Sequence, residues 1–147
     1  DWEVGVPIGA ATGPTNVVSA PNCAGTNIGG NYTINASVSL ISPSFAVPSG
    51  KSAEFTFSQY WDGDSVFDQG LVRVLDADNA DTPIEGLSIT NISIALPIVW
   101  TEQKLALPAA DVGGKNLKVE FQFESDHLDE FSGFYVDDVL VVTVEEE

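Results

Sequence analysis

The sequence predicts an all-β fold, an antiparallel two-sheet β-sandwich, and three observations predict it. No long segment repeats its apolar residues at the helical period. Apolar runs instead recur roughly every ten to fifteen residues, with glycine and proline between them. The last run, Gly133 to Val144, is almost wholly β-branched or aromatic and reads as a long central strand.

Asp1 to Pro7 opens the chain as a short alternating segment. The small and polar residues up to Gly30 predict a long ordered loop with one or two short strands. Val38 and Leu40 alternate with Ser37 and Ser39, which marks a half-buried strand stopped by Ser42-Pro43. Ala53 to Trp61 alternates more strongly, with Phe55 and Phe57 facing inward. Leu71 to Leu75 continues as a strand, and the polar Asp76 to Pro83 is a turn. Ile84 to Ile98 is unusually apolar, with Ile92, Ile94 and Leu96 at period two. Trp100 to Pro108 reads as an edge strand, and Ala109 to Lys115 as a connector with one helical turn. Asn116 to Glu124 is the cleanest amphipathic strand, with Leu117, Val119, Phe121 and Phe123 inward and Lys118, Glu120, Gln122 and Glu124 outward. In the closing run Asp137 and Asp138 are adjacent, so they are expected to point to opposite faces. A carboxylate inside a sheet needs a cation, a metal or converging N–H groups. Glu145 to Glu147 reads as a solvated tail.

With 147 residues and 44% apolar content, the length fits one domain with a real core, residues 1–147. Five Lys and Arg stand against 22 Asp and Glu, a formal charge of -17 that repels nucleic acid and anionic membranes. No apolar run is long enough to insert into a membrane, and Asp1 is not preceded by a signal segment, so any targeting sequence is expected outside these residues. The single Cys23 permits no internal disulfide. That fits a reducing compartment, or bacterial secretion where calcium takes over the stabilising role, and the second is preferred here. The same acidity would suit a marine or halophilic surface. Three Asn-x-Ser/Thr triplets, at Asn31, Asn35 and Asn91, carry meaning only in a glycosylating source.

Asp62, Asp64 and Asp68 fall within seven residues punctuated by glycine, the kind of turn that folds oxygen ligands around calcium, although it lacks the EF-hand pattern. Calcium is therefore expected where this turn and the Asp1 loop approach the last strand, with Asp1, Asp62, Asp64, Asp68, Asp137 and Asp138 as ligands. A water-exposed acidic turn explains the same residues. Asp76 to Asp81 is a second candidate. Tyr32, Tyr60 and Trp61, beside amide or acidic residues near turns, are the candidate sugar-stacking aromatics, with core packing as the alternative. Cys23 reads as a bland thiol and His127 as an exposed histidine in an acidic loop. There is no Gly-x-Ser-x-Gly elbow or phosphate-cradling loop, and a lone histidine leaves a nucleophile without a plausible base. No catalysis is expected, and the surviving enzyme alternative is a two-carboxylate glycosidase drawing on Glu54, Asp62, Asp64 and Glu130.

Read in order, Trp2-Glu3-x-Gly5-x-Pro7, Gly13-Pro14, Gly29-Gly30-Asn31-Tyr32, Leu40-x-Ser42-Pro43 and Ala53-x-Phe55-x-Phe57 with Trp61 form a series. Asp62 to Asp68 with Gly70-x-Val72, Trp100, Gly114-Lys115-x-Leu117-x-Val119-x-Phe121 and Gly133-Phe134-Tyr135-Val136-Asp137-Asp138-Val139 extend it over nearly the whole chain. The series resembles the MAM-like, cleaved-adhesin type of bacterial jelly-roll domain. The resemblance implies a jelly-roll sandwich, a place in a longer secreted or surface protein beside its other domains, structural calcium, and binding of a glycan or a cell-surface protein without catalysis. The chain departs from the commoner pattern where Asp76 to Glu85 replaces a Ser or Thr and an aspartate-glycine pair. A purely structural spacer remains a further alternative.

Overall fold

The structure, a computed structural model, describes residues 1–10, 13–63, 67–91 and 97–144. The strands are β1 (Glu3–Gly5), β2 (Cys23–Gly25), β3 (Ser37–Ile41), β4 (Phe45–Ala46), β5 (Ser52–Asp62), β6 (Gln69–Asp76), β7 (Thr82–Asn91), β8 (Thr101–Leu107), β9 (Asn116–Glu124) and β10 (Gly133–Val144). One helical turn, α1 (Ala109–Val112), connects β8 to β9. The strands form two antiparallel sheets, a jelly-roll sandwich. The first runs in the order β1-β2-β10-β5-β8, and the second β3-β9-β6-β7 with β4 also on β9.

Alternation dictates which residues meet between the sheets. From β5 come Phe55 and Phe57, from β9 Leu117, Val119, Phe121 and Phe123, from β6 Val72 and Val74, and from β10 Phe134 and Val136, all buried in one cluster. Aromatic edges lock it: Phe57 and Phe121 meet edge-to-face with centroids 5.2 Å apart, and Trp61 meets Phe134 at 5.5 Å. Each such side chain contributes roughly 1.5–3 kcal/mol by leaving water. Trp61 lies against Gly70, where an added β-carbon would come within 2.8 Å of its ring. The expected strands at Ala53–Trp61, Leu71–Leu75 and Asn116–Glu124 and the helical turn are in place. β4 had no alternating signal, since two residues are too few to show a period. Ile92, Ile94 and Leu96 lie outside the described residues, as do Asp64 and Glu145 to Glu147.

Two expectations need correction. Glu120, assigned to the solvent side, is 7% exposed, because Arg73 across the ladder donates to its Oε1 through Nε at 2.7 Å and covers it. β10 is a central strand only over its first half. Its register against β5 shifts between Asp137 and Leu140, and Asp138 sits in the bulge with φ 50°. The two carboxylates therefore do not alternate across a regular strand: Asp137 is half-buried and Asp138 is exposed.

Candidate functional site

The described aspartates that were expected to share one ion do not converge on one point. Asp62 ends β5 opposite Gly133, whereas Asp137 lies opposite Ser58. Four residues along a strand separate them by roughly 13 Å. Asp137 is satisfied by backbone instead: its Oδ2 accepts from the Val18 and Ser19 N–H groups at 3.0 and 2.8 Å, and its Oδ1 from Asp138 N–H at 2.8 Å. Converging N–H groups, one of the three possible partners, thus hold the strand carboxylate.

Asp62 and Asp68 are 2% and 1% exposed, and each is held by interior polar groups. Ser132 donates its hydroxyl to Asp62 Oδ2 at 2.7 Å, Asp126 N–H donates to Asp68 Oδ1 at 3.1 Å, and the Tyr32 hydroxyl donates to Asp68 Oδ2. Asp1 is exposed at a small pocket of about 120 Å³, whose other walls include Glu3, Thr26, Asn27, Tyr32 and Thr33. Among the described residues, no three of His, Cys, Asp and Glu converge as metal ligands. The second candidate group, Asp76 to Asp81, is engaged by protein cations and amides. Lys115 lies 3.7 Å from Asp76, Lys118 lies 2.9 Å from Asp81, and the backbone and side-chain N–H groups of Asn116 hold Asp78 below the usual carboxylate range.

The three candidate aromatics also separate. Tyr32 and Trp61 are 2% and 7% exposed and belong to the core, so they offer no open face for stacking. Trp61 reached this position because it sits on the inward side of β5 with Phe55 and Phe57. Tyr60 points to the other side of β5, where Cys23, Tyr135 and Trp100 gather around it. Its ring meets Tyr135 edge-to-face at 5.8 Å and Trp100 at 5.9 Å. Pairing of β5 with β8 brings the tryptophan there, since Gln59 lies opposite Thr101.

Trp100 is the residue that sequence reading missed as a candidate. It is half-buried, and its indole N–H donates to the Asn16 carbonyl at 2.9 Å, which fixes the ring. Beside it opens a groove of about 490 Å³ lined by Pro14, Thr15, Asn16, Tyr60, Val99 and Trp100. The signal was available: Trp100 immediately precedes an edge strand, where an indole has only one sheet neighbour to cover it.

Below this groove, burial first and nearby negative groups second raise the Tyr135 hydroxyl to about 12 and the Cys23 thiol to about 11. Burial first, and Asp62 second, also raise Tyr60. A thiol held protonated in this way is a poor nucleophile. Glu54 and Asp62, two of the acids a glycosidase would need, lie eight residues apart on β5, roughly 26 Å along the strand. Paired catalytic carboxylates stand about 5–10 Å apart.

No family model matches the chain. It is 31% identical over 141 residues to Bacillopeptidase F of Bacillus subtilis, an alignment covering 96% of this chain and 9% of that protein. The chain thus spans about a tenth of the length of this relative. Among solved structures it is similar to the K1 cleaved adhesin domain of Lys-gingipain from Porphyromonas gingivalis, at a TM-score of 0.53 and 19% identity over 99% of this chain and 84% of that one. It is also similar to a CBM4 structure, at a TM-score of 0.51 and 13% identity over 97% of this chain and 86% of that one. At such identities the likeness establishes the fold. Among the described residues no helix is long and apolar enough to cross a membrane.

Proposed function

We propose that the chain is a non-catalytic, extracellular binding module of a longer bacterial protein, and that it grips a glycan in the groove beside Trp100. The observation that carries this reading is the half-buried Trp100 indole, held by Asn16 and Tyr60 at the wall of an open groove. A fixed aromatic face stacks against a sugar ring at little entropic cost, and the neighbouring Thr15 and Asn16 supply polar groups for orientation. The adhesin and carbohydrate-binding domains that share the fold support a binding role, and the similarity to part of a bacillopeptidase supports secretion as one segment among others. The charge of -17 favours neutral or cationic glycans over acidic ones. Screening on a glycan array, followed by titration with tryptophan fluorescence as the signal, tests the reading. Trp100→Ala is expected to weaken binding at least tenfold, about 1.4 kcal/mol, at unchanged folding. Wild-type affinity in that variant, or no response to any glycan, overturns it.

Calcium belongs to the same proposal, at a smaller place than first expected. Asp1 and Glu3 line this pocket together with Thr26, Asn27 and Thr33, residue types whose oxygens suit a hard cation. The ion would tie the first residues to the β2 loop and stabilise the folded module, with no part in any reaction.

A further inference from the structure

β10 has a second half that the fold leaves open. β2 pairs with it only at Tyr135 and Val136, while β5 follows its other edge to Val144. Among the described residues no backbone hydrogen bond covers the β2 side from Val139 to Val144. In an antiparallel ladder alternate residues turn their N–H and C=O groups to each neighbour, so part of this backbone faces the open edge. The side chains along it are apolar and open to water: Val139 is 45% exposed, Leu140 55%, Val142 42% and Val144 41%. Exposed edges are normally guarded by lysine, proline or a covering segment, and this stretch contains neither residue. A groove of about 400 Å³, lined by Val18, Thr56, Ser58, Glu102, Val139 and Leu140, begins at the same bulge.

Charge selects the occupant. Asp138 stands exposed at one end of the open stretch, Glu54 lies opposite Val142, and the chain as a whole carries a formal charge of -17. The nearby cation, Lys104, stands 3.6 Å from Glu102. A second copy of this chain is disfavoured, because it would bring the same formal charge of -17 to the edge.

We propose that the open edge of β10, from Val139 to Val144, receives an extended segment of another protein that alternates apolar and small polar residues and carries lysine or arginine at its ends. The added strand completes the backbone ladder, the apolar alternation covers Leu140 and Val142, and the terminal cations meet Asp138 and the negative field of the module. This surface is separate from the Trp100 groove.

Isothermal titration with a short peptide alternating valine and threonine and ending in lysine on both sides tests it. Saturable one-to-one binding is expected, weakening as salt rises from about 0.05 to 0.5 M. The same peptide ending in glutamate should bind at least roughly tenfold more weakly, and an N-methylated version, which cannot complete the ladder, should not bind. The double variant Leu140→Lys, Val142→Lys should lose the peptide at unchanged melting temperature, whereas Trp100→Ala should keep it. Equal affinity for the two charge types, no binding, or sedimentation showing that the edge is taken by a second copy of the chain overturns the proposal.

Discussion

At the scale of single residues, two positions in β10 decide how the strand enters and leaves the core. Gly133 holds φ 104°, and a β-carbon there would overlap the Thr26 hydroxyl oxygen that accepts the Phe134 N–H at 3.2 Å. Gly133→Ala therefore combines a left-handed backbone with the loss of that hydrogen bond. A destabilisation of about 2 kcal/mol or more is expected in urea titration, and a change under about 0.5 kcal/mol would contradict the account. Asp137 works through hydrogen bonds, since it anchors the Val18–Ser19 backbone to the strand. Asp137→Ala should cost about 2 kcal/mol, the usual worth of hydrogen bonds to a charged group, and the loss should be the same with calcium or with chelator. A loss that appears only in calcium would make Asp137 a metal ligand after all.

At the scale of elements, β2, β5 and β10 build a small second cluster on the outer side of their sheet from Cys23, Tyr60 and Tyr135. Cys23 rises from 9.0 to about 11 and Tyr135 from 10.0 to about 12, so both hold their protons more tightly folded than unfolded. The stability they contribute is complete below pH 9 and is lost as pH rises through 11 and then 12. The urea midpoint should fall across that window, and Cys23→Ala should flatten its lower part. A midpoint constant from pH 8 to 12 would refute the assignment. The same elements show what sequence could and could not reveal. β5, β6, β9 and the extent of β10 were legible because alternation of apolar residues is a property of neighbours in the chain. The bulge at Asp138 was not, since it arises from the register with β5, and neither was the meeting of Tyr60 with Trp100, which depends on how β8 is laid beside β5. Composition drew attention to the acids but could not assign each to backbone, lysine or interior hydroxyl.

At the scale of the whole molecule, the sandwich carries 22 acids against five cations, and three of those cations serve two places. Arg73 covers Glu120 on the second sheet, while Lys115 and Lys118 answer Asp76 and Asp81 at the turn between β6 and β7. The remaining negative charge repels itself across the surface, and compact folding concentrates that repulsion. Monovalent salt screens charges separated by more than about 8–10 Å near physiological strength, so melting temperature should climb gradually with sodium chloride. Calcium at the Asp1–Glu3 pocket should act differently: a ligand that binds only the folded state adds RT ln(1 + [L]/Kd), about 2.7 kcal/mol at a hundredfold excess over Kd. Its effect should saturate at low concentration, persist in high sodium chloride, reverse with chelator, and vanish in the double variant Asp1→Asn, Glu3→Gln. Differential scanning calorimetry across both titrations separates the two terms. A calcium response that merely follows ionic strength, or that survives in the double variant, would reduce the metal to a counterion and leave the N-terminal pocket as a solvated polar recess.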